Sequence, residues 1–237
     1  MQSLFAVSKR LRVDLSPAQL QSFDVYYQQL VSERRKASLT SLTDIEAIQR
    51  RHFGESLALL RALEEFGAFH SPAIDIGAGA GFPGLPIKIA RPELQLTLLE
   101  ATGKKVDFLK RLIDTLGLRG VAVIHGRAEE LAHDPAHRGA YRLALARAVA
   151  PLPVLVELAL PFLRVGGYLA APKGSAAPRE AREAGSALAT CGGEIERMQP
   201  LDLPWPGPVP TLVLVRKVAA TPERFPRRPG IPAKRPL

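Results

Sequence analysis

The chain has 237 residues, 46% of them hydrophobic, which suffices for the core of one large domain plus an extension without covalent staples. Its single cysteine, Cys191, excludes an intramolecular disulfide and a cysteine-based zinc cluster, and it fits a reducing cytoplasm. The formal net charge is +9, and residues 216–237 alone supply +6 through seven Lys or Arg against Glu223, a concentration that suits either a polyanionic partner or a plain solubilising surface.

The first residues, MQSLFAVSKRLRVD, lack the long apolar core of a secretory signal, and no run approaches the length of a membrane span. A soluble, cytoplasmic protein is expected. Ser16 and Gln19 form a capping box with Pro17 in the first turn, and Leu20, Phe23, Tyr27 and Leu30 give the following helix an apolar face that ends near Lys36. Arg34, Arg35 and Lys36 make a local basic cluster. Thr43 and Glu46 repeat the capping-box spacing ahead of Ile45, Ile48, Phe53, Leu57 and Leu60, which predicts a second helix over 44–66 with Gly54 weakening its middle. Residues 1–70 therefore read as a helical extension.

From residue 73 the pattern becomes alternating strand and helix, as a doubly wound, mostly parallel sheet requires. Strands are expected at 73–76, 95–99, 121–125, 142–146 and 167–171, with helices at 84–90, 103–116, 151–163 and 179–190. The second of these helices carries a face of Val106, Leu109, Ile113 and Leu116 and stops at Gly117. After Gly192 and Gly193, two antiparallel edge strands follow, joined by the stiff loop LPWPGPVP and ending with TLVLVRKV at Val218. This makes 71–218 the main domain. Prolines and positive charge in 219–237 predict an extended arm, neither helix nor central strand, laid on the protein or on a partner.

The stretch AIDIGAGAGFPGLP carries the most chemistry. Gly77, Gly79 and Gly81 follow a short apolar strand and Asp75, so the backbone can turn tightly and offer N–H groups to a ligand. A dinucleotide fingerprint would place glycine where Phe82 stands, to seat a pyrophosphate. S-adenosylmethionine has no pyrophosphate but does have a charged amino-acid end, which an acidic strand-end residue helps to hold. The loop thus reads as a methyltransferase loop ahead of an NAD loop or a glycine-rich surface turn.

Other strand ends converge on the same rim. Glu100 follows the second strand, where a carboxylate can accept both ribose hydroxyls, or it is simply a surface residue leading a helix. The third strand leads to Arg127, Ala128 and Glu129, which suit an adenine edge or an ordinary helix start. The fourth leads to Arg147, a guanidinium for an anion or base edge or for an ion pair with a helix carboxylate. The fifth leads to Lys173, placed for a phosphate or a purine oxygen. His52 and Phe53 could contact a base, although Phe53 reads as core. His125, His133 and His137 lack the spacing of a metal set.

Taken together, SLTSLTD, HFGESL, DIGAGAGFPGLPIKIARPE, LLEATGKKVDFL, HGRAEE, ARAVAPL, APKG and PRRPGIPAKRPL make the chain resemble the bacterial RsmG/GidB-type methyltransferases over almost its whole length. The resemblance implies a Rossmann-like class I α/β fold, S-adenosyl-L-methionine as cofactor, and methylation of N7 of guanosine 527 in 16S rRNA. It implies cofactor contacts at Gly77, Phe82, Glu100, Ala101, Thr102, Ala128, Glu129 and Arg147, to which the reading of the loop adds Asp75, Gly79 and Gly81, and an RNA-facing pocket at His52, Arg127, Arg147 and Lys173. It also implies 16S rRNA within the small ribosomal subunit or an assembly intermediate as partner, a monomer, and no metal. Two positions depart from the family pattern: Ser38 stands where Asn is usual, and Pro172 where Leu or Met is usual. The competing readings are an NAD-dependent Rossmann oxidoreductase, against which the terminal basic motif speaks, and a non-catalytic RNA-binding assembly module, against which the intact loop from Asp75 to Gly84 speaks.

Overall fold

Short apolar strands separated by helices assemble into one seven-stranded sheet in the computed structural model, which describes residues 2–37, 39 and 44–237. The strands are β1 (Ala73–Ile76), β2 (Leu96–Glu100), β3 (Val121–His125), β4 (Tyr141–Leu145), β5 (Leu163–Lys173), β6 (Gly193–Pro200) and β7 (Thr211–Lys217). Their order is β3-β2-β1-β4-β5-β7-β6. The first five run parallel, and β7 lies antiparallel between β5 and the edge strand β6. Strand order reverses between β1 and β4, so the crevice beyond their C-terminal ends is where this architecture seats a ligand.

The period-2 alternation of β1 divides the core into two layers. Ala73 faces the layer built with the N-terminal helices, whereas Ile74 and Ile76 face the other. On the first side pack α1 (Gln2–Arg10), α2 (Pro17–Ala37), α4 (Glu55–Glu65), α5 (Gly84–Ala90) and α6 (Gly103–Leu116), with α3 (Ile45–Ile48) leading into α4. On the second pack α7 (Ala128–Leu131), α8 (Leu152–Ala159), α9 (Ala177–Glu183) and α10 (Gly185–Cys191).

The expected capping box of α2 forms: Gln19 N–H donates to Ser16 Oγ at 3.2 Å, and Ser16 N–H to Gln19 Oε1 at 2.7 Å. Its buried face, however, is Phe23, Tyr26 and Leu30, and Tyr27 is only half-buried. Helix α1 was not legible as a separate element, yet Leu4, Val7 and Leu11 recur at helical spacing and are buried. The predicted 44–66 helix is three segments, α3, a π-helical turn at Gln49–Gly54, and α4. Thr43 and Ser38 lie outside the described residues, as do the side chains of Arg34, Arg35 and Lys36. The cap is Asp44, which accepts from Ala47 N–H at 2.8 Å. Gly54 serves close packing, since a Cβ there would meet the Trp205 ring at 2.6 Å.

The 151–163 helix ends as a 3-10 turn at Leu160–Phe162, and 179–190 is two helices joined at Ala184. The arm beyond β7 does include a helical turn, α11 (Ile231–Lys234), which corrects the reading that excluded one. Pro232 sits in its first turn, where the missing N–H costs nothing, and Gly230 turns the chain into it with φ +80°. The arm lies on the protein. Arg138 donates to the carbonyls of Thr221, Pro222 and Phe225, and Arg227 pairs with the fully buried Glu157 of α8. No described helix is long and apolar enough to cross a membrane.

Candidate cofactor and substrate site

The glycine loop is held from three directions. Gly77 and Ala78 N–H donate to Leu99 O at 2.8 and 3.0 Å, tying the loop to β2. Glu100, nearly buried, accepts from Gly79 N–H and Thr102 N–H, both at 2.8 Å, so one carboxylate joins the loop to the start of α6. From α2, the Tyr26 hydroxyl donates to Ala80 O at 2.5 Å. All three glycines have positive φ, and at Gly81 (φ +100°) a Cβ would meet the Tyr26 hydroxyl at 2.7 Å and Leu85 at 2.6 Å. Only glycine fits that approach.

Asp75 is fully buried beneath this loop. Its Oδ2 accepts from Gly84 N–H at 2.8 Å, capping α5, while Oδ1 has no hydrogen-bond partner among the described residues. Burial lifts the carboxyl to about 7, opposed by the Gly84 N–H and the Arg147 charge. The sequence reading placed Asp75 at the amino end of a cofactor. Here its first task is helix capping, with one oxygen left for a donor.

Beside the loop, a cleft of about 190 Å³ is lined by Ile76, Gly77, Leu99, Ala101, Ala128 and Val149, with Arg127 and Glu129 at its polar edge. This is an apolar slot with a charged rim, suited to a flat heterocycle. Arg127 is exposed here, apart from His52, Arg147 and Lys173 with which the sequence reading grouped it.

Those three line a second cleft of about 560 Å³ between the π-turn, the end of β5 and the proline loop at 208–210. Behind it lies the buried ring of Phe82. That ring stacks on Tyr26 (5.3 Å, 6°) and on His52 (4.5 Å, 23°), and the Arg147 guanidinium lies 5.1 Å from its centroid. Arg147 donates to Arg51 O at 2.8 Å, lies 3.1 Å from His52 Nδ1, and pairs with Glu55 at 3.5 Å. The π-turn makes the first of these bonds possible, because its looser winding exposes a carbonyl that an α-helix would use internally. Burial, then the Arg147 and Arg51 charges, pushes His52 down to about 3, so its ring is neutral at ordinary pH. Ala148, next to Arg147, sits at φ +57°, a strained conformation for a side chain bearing Cβ. Lys173 pairs with Glu180 at 3.0 Å and donates to Ala150 O. Lys173 at the rim is thus a paired cation.

Sequence reasoning missed Tyr26, Arg51, Glu55 and the proline loop. A signal existed for Tyr26, since Phe23, Tyr26 and Leu30 also fit helical spacing. The histidines outside the site have local partners: His125 meets Ala101 O at 3.1 Å, His133 meets Pro226 O at 2.8 Å and His137 meets the Tyr141 hydroxyl at 2.7 Å. Pro172 sits within β5 opposite Leu212 of β7. A glycine loop, a carboxylate at the end of β2 and an apolar slot fit an adenosine-bearing cofactor.

Residues 19–203 match the family described as GidB, rRNA small subunit methyltransferase G. Curated relatives called "Ribosomal RNA small subunit methyltransferase G" include one from Roseiflexus castenholzii, 44% identical over the full length of both chains, and one from Chloroflexus aggregans, 46% identical over 95% of this chain and 93% of its own. Among solved structures, a SAM-dependent methyltransferase from Aquifex aeolicus superposes with a TM-score of 0.53 at 18% identity, covering 74% of this chain and 99% of its own. A geranyl diphosphate methyltransferase in complex with SAM gives 0.52 at 16% identity, covering 69% and 86%. These two likenesses show the fold.

Proposed function

Because the chain belongs to the rRNA small subunit methyltransferase G family, it is an S-adenosylmethionine-dependent methyltransferase of small-subunit ribosomal RNA, and we propose that it methylates N7 of guanosine 527 in 16S rRNA. The observation that carries the N7 reading is the wall of the larger cleft: a neutral His52 ring stacked on Phe82, with Arg147 and Lys173 each paired with a carboxylate.

Guanine N7 has an exposed lone pair and no proton to lose, so its methylation needs alignment and exclusion of water more than a base. When bound, S-adenosylmethionine supplies a methyl group activated by the adjacent sulfonium. The chain's residues then divide the remaining work. Gly77, Glu100, Ala101, Thr102, Ala128 and Glu129 would hold the adenosine part, with Glu100 offering the lone pairs that Gly79 and Thr102 leave over. The loop from Gly77 to Gly81, latched to Leu99 and Glu100 and shaped from beneath by Asp75, would form the wall beside the amino-acid part. His52, backed by the buried Phe82 ring, offers a planar support for the base. Methylation builds positive charge on the imidazole half of guanine, and a cationic His52 would oppose it. With His52 held neutral and Arg147 balanced by Glu55, that penalty is small. Arg147 and Lys173 remain placed to meet O6 or a phosphate, and Arg127 to meet RNA at the other rim.

The guanosine must be unpaired or extruded to enter the cleft. We take the substrate to be rRNA within the small subunit or an assembly intermediate, and the enzyme to be a cytoplasmic monomer. Mapping N7-methylguanosine in 16S rRNA from cells with and without the gene tests the proposal. Loss of that single mark on deletion is expected, and an unchanged map refutes it.

A further inference from the structure

The C-terminal arm is bonded to Glu129, a residue that lines the smaller cleft. Arg227 donates to Glu157 from its backbone N–H at 2.8 Å, from Nε at 2.9 Å and from Nη2 at 2.6 Å, and Glu157 itself is fully buried. His133 meets Pro226 O at 2.8 Å, and Arg138 gathers three arm carbonyls at 2.9–3.1 Å, so the chain's path up to Arg227 is fixed. Three residues later, Gly230 N–H donates to Glu129 Oε1 at 3.0 Å. Leu237 packs against the second core layer. Glu129 is half-buried on α7, a four-residue helix, and it lines the cleft with Gly77, Ala101 and Ala128.

A glutamate on so short a helix has several rotamers open to it, and ordering it costs side-chain entropy that must be met at the moment of ligand binding unless something has fixed it beforehand. We propose that the C-terminal arm is a positioning element of the cofactor site: the Gly230 N–H holds the Glu129 carboxylate at the cleft, and the Arg227–Glu157 pair holds Gly230 in place. The arm thereby acts on cofactor affinity, a role separate from any contact with RNA. This rests on the reading of Glu129 as a cofactor contact.

The test is calorimetric titration of S-adenosylhomocysteine into four proteins: the full chain, a chain lacking 230–237, full-length Glu129→Ala, and the two changes combined. The truncation and Glu129→Ala should each raise Kd roughly five- to tenfold, and the combination should be no worse than either alone, because both remove one device. Glu129→Gln, which keeps an oxygen for Gly230, should restore most of the affinity. Should the truncated chain not fold, full-length Gly230→Ala replaces it: a Cβ there meets nothing within 4 Å, but φ +80° strains it and displaces the N–H. An unchanged Kd for Glu129→Ala overturns the cofactor reading of Glu129 and the inference with it. A weakened Glu129→Ala beside an unaffected arm variant, or effects that multiply in the combination, overturns the inference alone.

Discussion

Replacing Glu100 by Gln tests the loop and the cofactor site in one experiment. The carboxylate accepts two backbone N–H groups at 2.8 Å, from Gly79 in the loop and from Thr102 ahead of α6. Glutamine has one acceptor oxygen and one NH2 group, so one of those N–H groups faces a donor, and the other bond loses its charge. An unsatisfied, largely buried donor costs about 1–3 kcal/mol, and exchanging a charged for a neutral acceptor costs about 1 kcal/mol more, which gives a destabilisation of about 2–4 kcal/mol. For a chain of this size that is a fall in Tm of roughly 5–15 °C in a thermal unfolding scan. On the proposed ribose contact, the hydroxyls would lose a charged acceptor as well, worth a further factor of about 10–100 in Kd for S-adenosylhomocysteine by calorimetry. A variant that melts within about 2 °C of the parent refutes the loop-latching role, on the same size scaling. A variant with parent-like affinity refutes ribose recognition.

Arg147→Lys keeps the charge but cannot span Arg51 O, His52 and Glu55, so methyl transfer to a small-subunit substrate should fall by roughly 10–100-fold while Tm changes little; parent-like turnover sinks the idea. Arg147→Ala leaves the Glu55 carboxylate without its cation and should destabilise by about 3 kcal/mol in urea unfolding. His52 titrates at about 3 in the fold against 6.5 unfolded, so the unfolded chain takes up a proton first as pH falls, and stability drops between pH 6.5 and 3 by at most about 1.4 kcal/mol per pH unit. Relative to the parent, His52→Asn should flatten that limb, and parallel curves would contradict it. Gly81→Ala should weaken cofactor binding and cost about 1–3 kcal/mol, because its Cβ collides with Leu85 and the Tyr26 hydroxyl; parent-like unfolding and affinity would contradict the close approach. Neutralising the exposed Arg224, Arg228, Lys234 and Arg235 should reduce the slope of log affinity for RNA against log salt by about 0.7 for every phosphate that the arm no longer neutralises. An unaltered slope shows that the arm meets no phosphate. Arg227→Gln should instead lower stability, through Glu157.

Elements whose limits are written locally were legible. For β1, β3, α5 and α6 the structure keeps the expected bounds, since apolar runs, glycine and capping positions lie within a few residues of each end; Gly117 closes α6 at φ +60°. What depends on distant partners was not. The π-turn is met by Trp205 at Gly54 and by Arg147 on Arg51 O, meetings of segments far apart in the chain, and no helical periodicity encodes them. The strand expected at 167–171 is longer: β5 runs from Leu163 through Gly166 and Gly167 to Lys173. Within the site, the motif residues of the glycine loop and Glu100 do converge, because successive strand ends share one rim. Arg127 fell in the other cleft because its strand, β3, is the far edge of the sheet. Lys173 and Arg227 looked available as cations in the sequence, but each finds its carboxylate on a separate helix.

The hydroxyl of Tyr26 on the Ala80 carbonyl has a consequence for how such enzymes can be recombined. A helical N-terminal segment ahead of a Rossmann-like sheet invites treatment as an interchangeable RNA-reading module, to be grafted from one methyltransferase onto another. Here the graft would carry away a wall of the glycine loop, the ring on which Phe82 stacks, and the side chain that makes Gly81 obligatory. A chimaera joined near residue 70 should therefore be impaired first in holding its small ligand, before any question of RNA choice arises, unless tyrosine and loop travel together.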